Sequence, residues 1–469
     1  MSLLADAWAA YPPWLNPGDN AWQLTAATLV GLMSVPGLVV LYGGVMQKRW
    51  SVNSMMLAFV AFALVLIVWV LYAFDMAFGN PWHGISSSGF FGNFIGQPGP
   101  VLNHTAEQGQ ALIPLVTTGP PFHFPQSTLV YFQFVFAAIT PILMLGAVLG
   151  RINFKAWLLI VPLWTTCVYT VNAFLIWGGG WFAQQGAVDY SGGYVIHLAA
   201  GISGFVAAAV IGPRLARDRE IDAPNNLLMV AAGAGLLWLG WNGFNGGDPY
   251  YAGADAAAAV LNTNLATAVA FLVWVIWDYA TGRKPSLIGS VNGMIVGLVA
   301  ITPAAGFVNG YGAMAIGAIG ASVVYLAYNY LSRVRPFRAV DDTLGVIYTH
   351  GFAGLVGGLL VGVLADSNMI VYLGLGKTPN FAAGGSLHLL RLQAEAGLWV
   401  IVYSGIVTFI LLKAVGLVIP LRMSEKDMET GDLAVHGHEV YPSDVPSLGY
   451  SGAVSAIAPP PPPTPEPAG

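Results

Sequence analysis

The chain has 469 residues, of which 56% are apolar and only 8% are Asp, Glu, Lys or Arg, with 17 basic against 22 acidic side chains and a formal charge of −5. A soluble domain carries about a quarter charged residues, so this composition excludes a water-soluble monomer, and the absence of a basic run excludes nucleic acid as a partner. The single cysteine, Cys167, excludes an intrachain disulfide and a cysteine-based metal site, and reads as a small core residue.

In chain order, Met1 to Asn20 lack a positively charged n-region followed by an apolar stretch, so no cleavable leader is expected and the first apolar helix should direct insertion. Apolar runs bounded by charge, Pro or Gly then predict eleven spans: 22–46, 54–76, 126–149, 156–178, 191–212, 226–246, 259–279, 287–308, 311–332, 344–365 and 395–421. The expected fold class is an all-α membrane protein. Between the second and third spans, residues 77–125 hold no Lys or Arg, many Gly and Pro, and His83, His104 and His123, which read as solvated loop residues. With the N-terminus outside, 15 of the 17 Lys and Arg fall on inner loops or the C-terminal end, leaving Lys377 and Arg391 outside. That asymmetry predicts N-out, C-in.

The chain repeats itself. Asp189-Tyr-Ser-Gly-Gly-Tyr-Val-Ile-His197 has a counterpart in Asp342-Thr-Leu-Gly-Val-Ile-Tyr-Thr-His350, with Asp eight residues before His in both. The offset of 153 also pairs Gly192 with Gly345, Gly201 with Gly354 and Gly204 with Gly357, and Ala138-Ile-Thr-Pro141 matches Ala300-Ile-Thr-Pro303. The matches fall on spans five and ten and on three and eight, so the unit is five helices. Five is odd, which predicts two inverted repeats plus one extra C-terminal helix.

Only His197 and His350 of the eight histidines lie well inside predicted spans, where an ionisable group is costly and by default suggests function. At matching repeat positions, the two imidazoles are expected to meet at the midplane as a polar rung or proton relay. The glycines around them suit close helix packing. Asp189 and Asp342 read as helix caps. Phe132 and Phe136 share one helix face at i and i+4, and Gln133 beside them is ill suited to lipid. Together with Trp177 before Gly178-Gly-Gly180, Trp241 and Phe244 on the sixth span, and Asp248 beyond them, these aromatics could form a cage that binds a small cation.

These residues resemble those of the Amt/Mep ammonium transporter family, in its Amt branch rather than the Rh branch. The run from Asp189 through Arg214 is similar to the family's fifth-helix signature, as are Pro36 through Gly44, Phe132-Gln-Phe-Val-Phe136, Trp177 through Gly180, Trp241-Asn-Gly-Phe-Asn245 and His350-Gly351. The resemblance implies a homotrimer in the cell (inner) membrane, each protomer with its own pore. It assigns Phe132, Phe136, Trp177 and Asp248 to an outer NH4+ recruitment site, Phe136 and Phe244 to a gate, and His197, His350, Trp241 and Tyr42 to the pore lumen. No cofactor, metal or catalytic residue is implied, and the chain is not expected to be an enzyme. Three departures from the family pattern stand out: Asp248 where many members have Ser, Leu41 where an aromatic often precedes Tyr42, and Gly345 where an acidic residue is common.

The expected division is an extracellular segment at 1–21, a transmembrane domain at 22–422 and a cytoplasmic tail at 423–469. The tail includes Thr430 through Gly437, similar to the family's tail, and ends in a Pro-rich stretch at Pro459 through Pro463 expected to be disordered or extended. His436 and His438 read as solvated. The resemblance further implies that this tail lies against neighbouring subunits and that the inner face can receive a PII-type regulator. An ammonium sensor of the same fold is the alternative function.

Overall fold

The structure, a computed structural model, describes residues 12–82, 90–116, 121–220, 223–369 and 384–441. Among the described residues there are eleven apolar helices: α1 Pro17–Val45, α2 Lys48–Phe78, α3 Gln126–Leu145, α4 Phe154–Gln185, α5 Gly193–Ile211, α6 Leu227–Gly246, α7 Ala254–Ala280, α8 Leu287–Ile301, α9 Gly310–Arg333, α10 Ile347–Leu364 and α11 Leu387–Gly416. Ten have 18–32 residues, a length that spans about 30 Å of hydrocarbon at about 1.5 Å per residue. The chain is a multi-pass membrane protein.

Where the helices start is set by local capping. Asn16 accepts the N–H groups of Gly18 and Asp19, and Pro17 needs no donor of its own, so α1 opens five residues before the expected 22. Ser386 accepts Leu389 N–H, so α11 opens at 387 rather than 395. Arg391 therefore lies on a helix and pairs with Glu395 at 2.7 Å, and is not a loop residue. At their other ends α3 stops at Leu145 instead of 149 and α8 at Ile301 instead of 308.

Charged side chains at the end of the molecule opposite Asp248 are built into the fold. Arg151 is fully buried and donates to the carbonyls of Gly212, Ala147, Leu149 and Asp341 and to the Thr343 hydroxyl. Arg214 grips Asp341 with its backbone N–H and two guanidinium nitrogens at 2.7, 3.1 and 2.9 Å. These bonds tie the start of α10 to the ends of α3 and α5.

The tail is docked on the same face. Two short helices, α12 Glu425–Thr430 and α13 Asp432–His436, bring Asp432 to the start of α2, where it accepts Val52 and Asn53 N–H at 2.7 and 2.8 Å. His436 was expected in solvent but lies half-buried, 3.0 Å from Asn53 Oδ1 and edge-on to Phe154. The reason is that Asp432 already pins its helix. Burial raises the Asp432 carboxyl to about 6, against the pull of the two N–H groups and of His438. The Pro-rich stretch at 459–463 lies outside the described residues, as do His83 and Lys377.

Candidate functional site

The site is built from the two halves of the repeat. Gly192 (φ +107°) and Gly345 (φ +67°) each hold a left-handed backbone just before α5 and α10, a conformation that side chains rarely adopt. This explains why glycine suits position 345. Each is preceded, three residues earlier, by a capping aspartate: Asp189 Oδ2 accepts Tyr194 and Val195 N–H at 2.9 and 3.0 Å, and Asp342 Oδ2 accepts Ile347 N–H at 2.8 Å. Both helices then begin with a π-helical turn, Gly193–Leu198 and Ile347–Phe352, in which His197 N–H reaches back five residues to Gly192 O. Such widened turns re-aim side chains and recur at functional sites. Here they carry the two histidines.

Glycine lets the two helices cross closely. A Cβ on Gly201 would stand 2.5 Å from Gly351 Cα, and one on Gly354 would stand 2.4 Å from Gly193 O. With nothing between the backbones, the imidazoles meet. His197 Nδ1 and His350 Nδ1 are 3.2 Å apart, with ring centroids at 5.4 Å and planes inclined by 21°. His197 is fully buried and His350 is 8% exposed. A neutral pair at this distance must hold one proton between the facing nitrogens, so one ring donates and the other accepts. One of the two Nε2 atoms then carries a proton and the other a free lone pair. The buried Nε2 of His197 has no protein partner among the described residues.

A column of rings continues from this pair toward Asp248. His197 lies 5.3 Å from Trp241 and 5.9 Å from Phe244, nearly parallel to both. Trp241 is fixed by its indole N–H, which donates to Thr302 Oγ1 at 2.8 Å. Phe244 meets Phe136 at 4.3 Å, standing between the histidines and a further aromatic cup. That cup is formed by Phe132, 4.8 Å from Phe136, and by Trp177, which stands at 85° to Phe136 at 6.3 Å. The Trp177 N–H donates to Asp189 O at 2.6 Å, so the α5 cap also orients the cup.

Asp248 stands in the 247–253 loop beyond α6, 4% exposed, and its Oδ2 has no hydrogen-bond partner among the described residues. Burial pushes its carboxyl above the usual carboxylate range, the Ser191 hydroxyl pulls it down and Asp189 adds to the rise. On the other side of the histidines a cavity of about 120 Å³ is lined by Tyr42, Leu41, Leu143, Asn292, Thr349 and His350, among others. That volume holds several water-sized guests. Tyr42 is held there by its hydroxyl, which donates to Ile142 O at 2.8 Å.

The structure therefore brings the sequence-predicted residues together in one line: Phe132, Phe136, Phe244, His197 and His350 as the column, with Trp177 and Trp241 against it. Sequence reasoning missed several others. Thr302 was legible only as part of a repeated Ala-Ile-Thr-Pro, and its role comes from tertiary contact. Tyr250 has a positive φ of 63° and holds Gln133 through its hydroxyl, which accepts Nε2–H at 2.7 Å. His123 was expected to be a solvated loop residue, but it is part-buried and lies 3.3 Å from Asp19. That pairing spans 104 residues of chain, beyond the reach of local pattern. His104 is exposed. Cys167 is half-buried rather than core. Among the described residues no three His, Cys, Asp or Glu side chains gather as a metal site.

Comparison with known proteins agrees with this architecture. A family model described as the Ammonium Transporter Family matches residues 21–441. The chain is 48% identical to ammonium transporter 2 of Arabidopsis thaliana, over 92% of this chain and 89% of that protein. It is 46% identical to ammonium transporter 3 member 2 of Oryza sativa subsp. japonica, over 96% of each. Among solved structures it superposes on Saccharomyces cerevisiae Mep2 with a TM-score of 0.74 at 29% identity, covering 88% of this chain and 89% of that one. A structure titled a sensor Amt protein shares the fold, with a TM-score of 0.75, at 24% identity over 88% of this chain and 96% of its own.

Proposed function

Because the chain belongs to the ammonium transporter family, we propose that it carries ammonium or ammonia across the cell (inner) membrane, through a pore running from Asp248 past the two histidines to the Tyr42 cavity. The observation that carries this reading is the 3.2 Å contact between His197 and His350 directly beneath the Phe136–Phe244 closure. In the cup, the ring faces of Phe132, Phe136 and Trp177 attract a small cation. Burial favours the protonated Asp248 carboxyl, and a cation beside its Oδ2, which has no partner among the described residues, shifts it toward the carboxylate that binds the cation. Taking a charged ion through an apolar passage costs many kcal/mol, whereas a neutral amine crosses cheaply. Ammonium therefore gives up its proton near the gate, to water on the outer side of the Phe136–Phe244 pair, and only NH3 goes on. The phenyl rings of Phe136 and Phe244 swing aside, and ammonia meets the imidazole pair, which offers both a donor N–H and an acceptor lone pair. The pair passes a neutral guest without a charged wall. Charge measured per nitrogen transported distinguishes ammonia crossing alone from ammonia with a proton relayed along the imidazoles.

On this reading Asp248 and the start of α1 face outward and the tail faces the cytoplasm, where 15 of 17 Lys and Arg then lie inside. Three copies assemble in the membrane lipid, each with its own pore, and the docked tail is the surface a PII-type regulator would meet.

Ammonium-evoked current and pH change in proteoliposomes test the function. Folded protein with no ammonium flux would favour the sensor reading. A His197→Ala, His350→Ala double variant that transports normally and still excludes K+ would show that the histidines do not form the lumen.

A further inference from the structure

The 247–253 loop that carries Asp248 is strapped down from two sides by residues the transport path does not use. From α1, Asp19 Oδ1 accepts Ala252 N–H at 2.9 Å, and the Trp22 indole N–H donates to Gly246 O at 2.9 Å. From residues 121–125, Pro121 O accepts the Tyr251 hydroxyl at 2.9 Å, while the His123 ring stands edge-on to Tyr251 at 5.5 Å. His123 O also accepts Asn16 N–H at 2.9 Å, which fixes this segment to the start of α1. The two sides meet in one pair. Asp19 has one oxygen on the loop and the other 3.3 Å from His123 Nδ1.

The middle of the loop is also held under strain. Tyr250, two residues after Asp248, sits at φ +63°, where a non-glycine side chain is uncommon. It stays there because its ring packs on Phe122 at 5.0 Å and Phe132 at 6.0 Å, with Gln133 on its hydroxyl. A loop held in an unfavourable conformation depends on its ties. Loosening Asp19 frees Ala252 and, through Tyr250, lets Asp248 drift from the aromatic cup.

We propose that the Asp19–His123 pair is a positioning element that sets the strength of ammonium recruitment at Asp248 and makes it respond to external pH. This inference rests on the recruitment reading given above. Histidine is the side chain whose charge changes in the ordinary range of external pH. Asp19 is 10% exposed in its side chain and His123 38%, so the carboxylate is the sheltered partner and the imidazole faces solvent. Two titratable groups face His123 in the contacts described: Asp19 from α1 and Tyr251 from the loop. Asp248 and Asp255 lie further along the loop and at the start of α7. Basic side chains cannot compete from this region, since Lys48 and Arg49 are the only Lys or Arg in the first 150 residues and both lie at the tail side. A protonated His123 holds Asp19 as an ion pair, and the loop tightens. A neutral His123 holds it only through the Nδ1–H tautomer, and the loop loosens.

The test measures initial methylammonium uptake by the full-length protein in proteoliposomes at external pH 5.5, 6.5 and 7.5, a range in which the cation remains the dominant species. Wild-type protein is expected to show a KM rising roughly two- to fivefold from the lowest to the highest pH, the size of effect of one partly exposed ion pair, with maximal rate little changed by this pair. His123→Gln, which keeps a donor but cannot titrate, is expected to flatten that part of the KM profile without lowering the maximal rate. Asp19→Asn is expected to raise KM at every pH, and adding His123→Gln to it should change nothing further. A His123→Gln profile with the wild-type slope, or an effect confined to maximal rate, overturns the proposal. Asp248→Asn separates this from the reading beneath it. If that variant leaves KM unchanged, the recruitment assignment itself has failed. If it raises KM while His123→Gln keeps the wild-type slope, the strap alone has failed.

Discussion

Replacing Gly354 by alanine places a methyl carbon 2.4 Å from Gly193 O and 3.2 Å from His197 Cβ, where ordinary contact begins at 3.4 Å. The Gly193 carbonyl belongs to the π-helical turn of α5 and cannot rotate away as a side chain would, so α10 must back off by about 1 Å. If the separation is taken up between the two helices, the Nδ1–Nδ1 distance grows from 3.2 Å to about 4.2 Å, outside hydrogen-bonding range. Overpacking of this kind costs about 1–3 kcal/mol of stability. The broken bond leaves a buried imidazole nitrogen unpaired, at about 1–3 kcal/mol more. If one such unpaired group must be met by the passing guest, the barrier rises by a similar amount and flux falls about ten- to a hundredfold. The assay is the initial rate of methylammonium uptake into proteoliposomes, with size-exclusion chromatography and a thermal melt to show that the variant is assembled. Gly235→Ala is the control, because a Cβ there meets nothing within 4 Å; its flux should match the wild type, and its melt should be unchanged or slightly higher. A folded Gly354→Ala protein with wild-type flux would refute the argument that the glycine crossing is what brings the histidines together.

Asp248→Ser, which installs the residue common in the resembled family, removes the carboxyl that a bound cation would ionise and should raise KM severalfold with little change in maximal rate, read in the same uptake assay. Asp341→Asn should lower thermal stability by about 1–3 kcal/mol, because it removes the carboxylate charge that meets the buried Arg214 at 2.9 Å. That pair also has a pH signature. Burial acts to raise the Asp341 carboxyl, but the hydrogen bonds and charge of Arg214, with Arg151 behind it, outweigh burial and hold it below the usual range. A depressed folded-state pKa contributes stability above the unfolded value, about 3.9, and loses it as pH falls through the folded one. Wild-type melting temperature should therefore drop below about pH 4, while the Asp341→Asn protein loses this component of the drop. Asp432→Ala removes the carboxylate that accepts two N–H groups at the start of α2, a loss of about 1 kcal/mol. Faster limited proteolysis between residues 421 and 441, with flux retained or altered, would report the tail's release; an unchanged rate would mean that the docking does not depend on this cap.

Much of this protein is legible in its sequence because a bilayer imposes a simple local rule. Apolar runs near 20 residues become helices, since hydrocarbon offers no other partner for backbone N–H and C=O groups. Among the described residues, ten helices of crossing length plus the shorter α8 follow from that rule. The offset of 153 pairs His197 with His350 and Gly201 with Gly354, and duplication carries one local conformation to both places. Gly192 and Gly345 have the same left-handed backbone for that reason. What the sequence leaves open is which distant residues touch. The 3.2 Å histidine contact is set by how closely two glycine faces pack. Asp19 with His123, Arg151 with Thr343, and Asp432 with Asn53 join residues about 100 to 380 positions apart. No period or spacing records such pairings, because each depends on the packing of several helices at once. Helix ends were misplaced for a related reason: hydropathy marks where lipid begins, whereas Asn16 and Ser386 cap their helices through hydrogen bonds that hydropathy does not see.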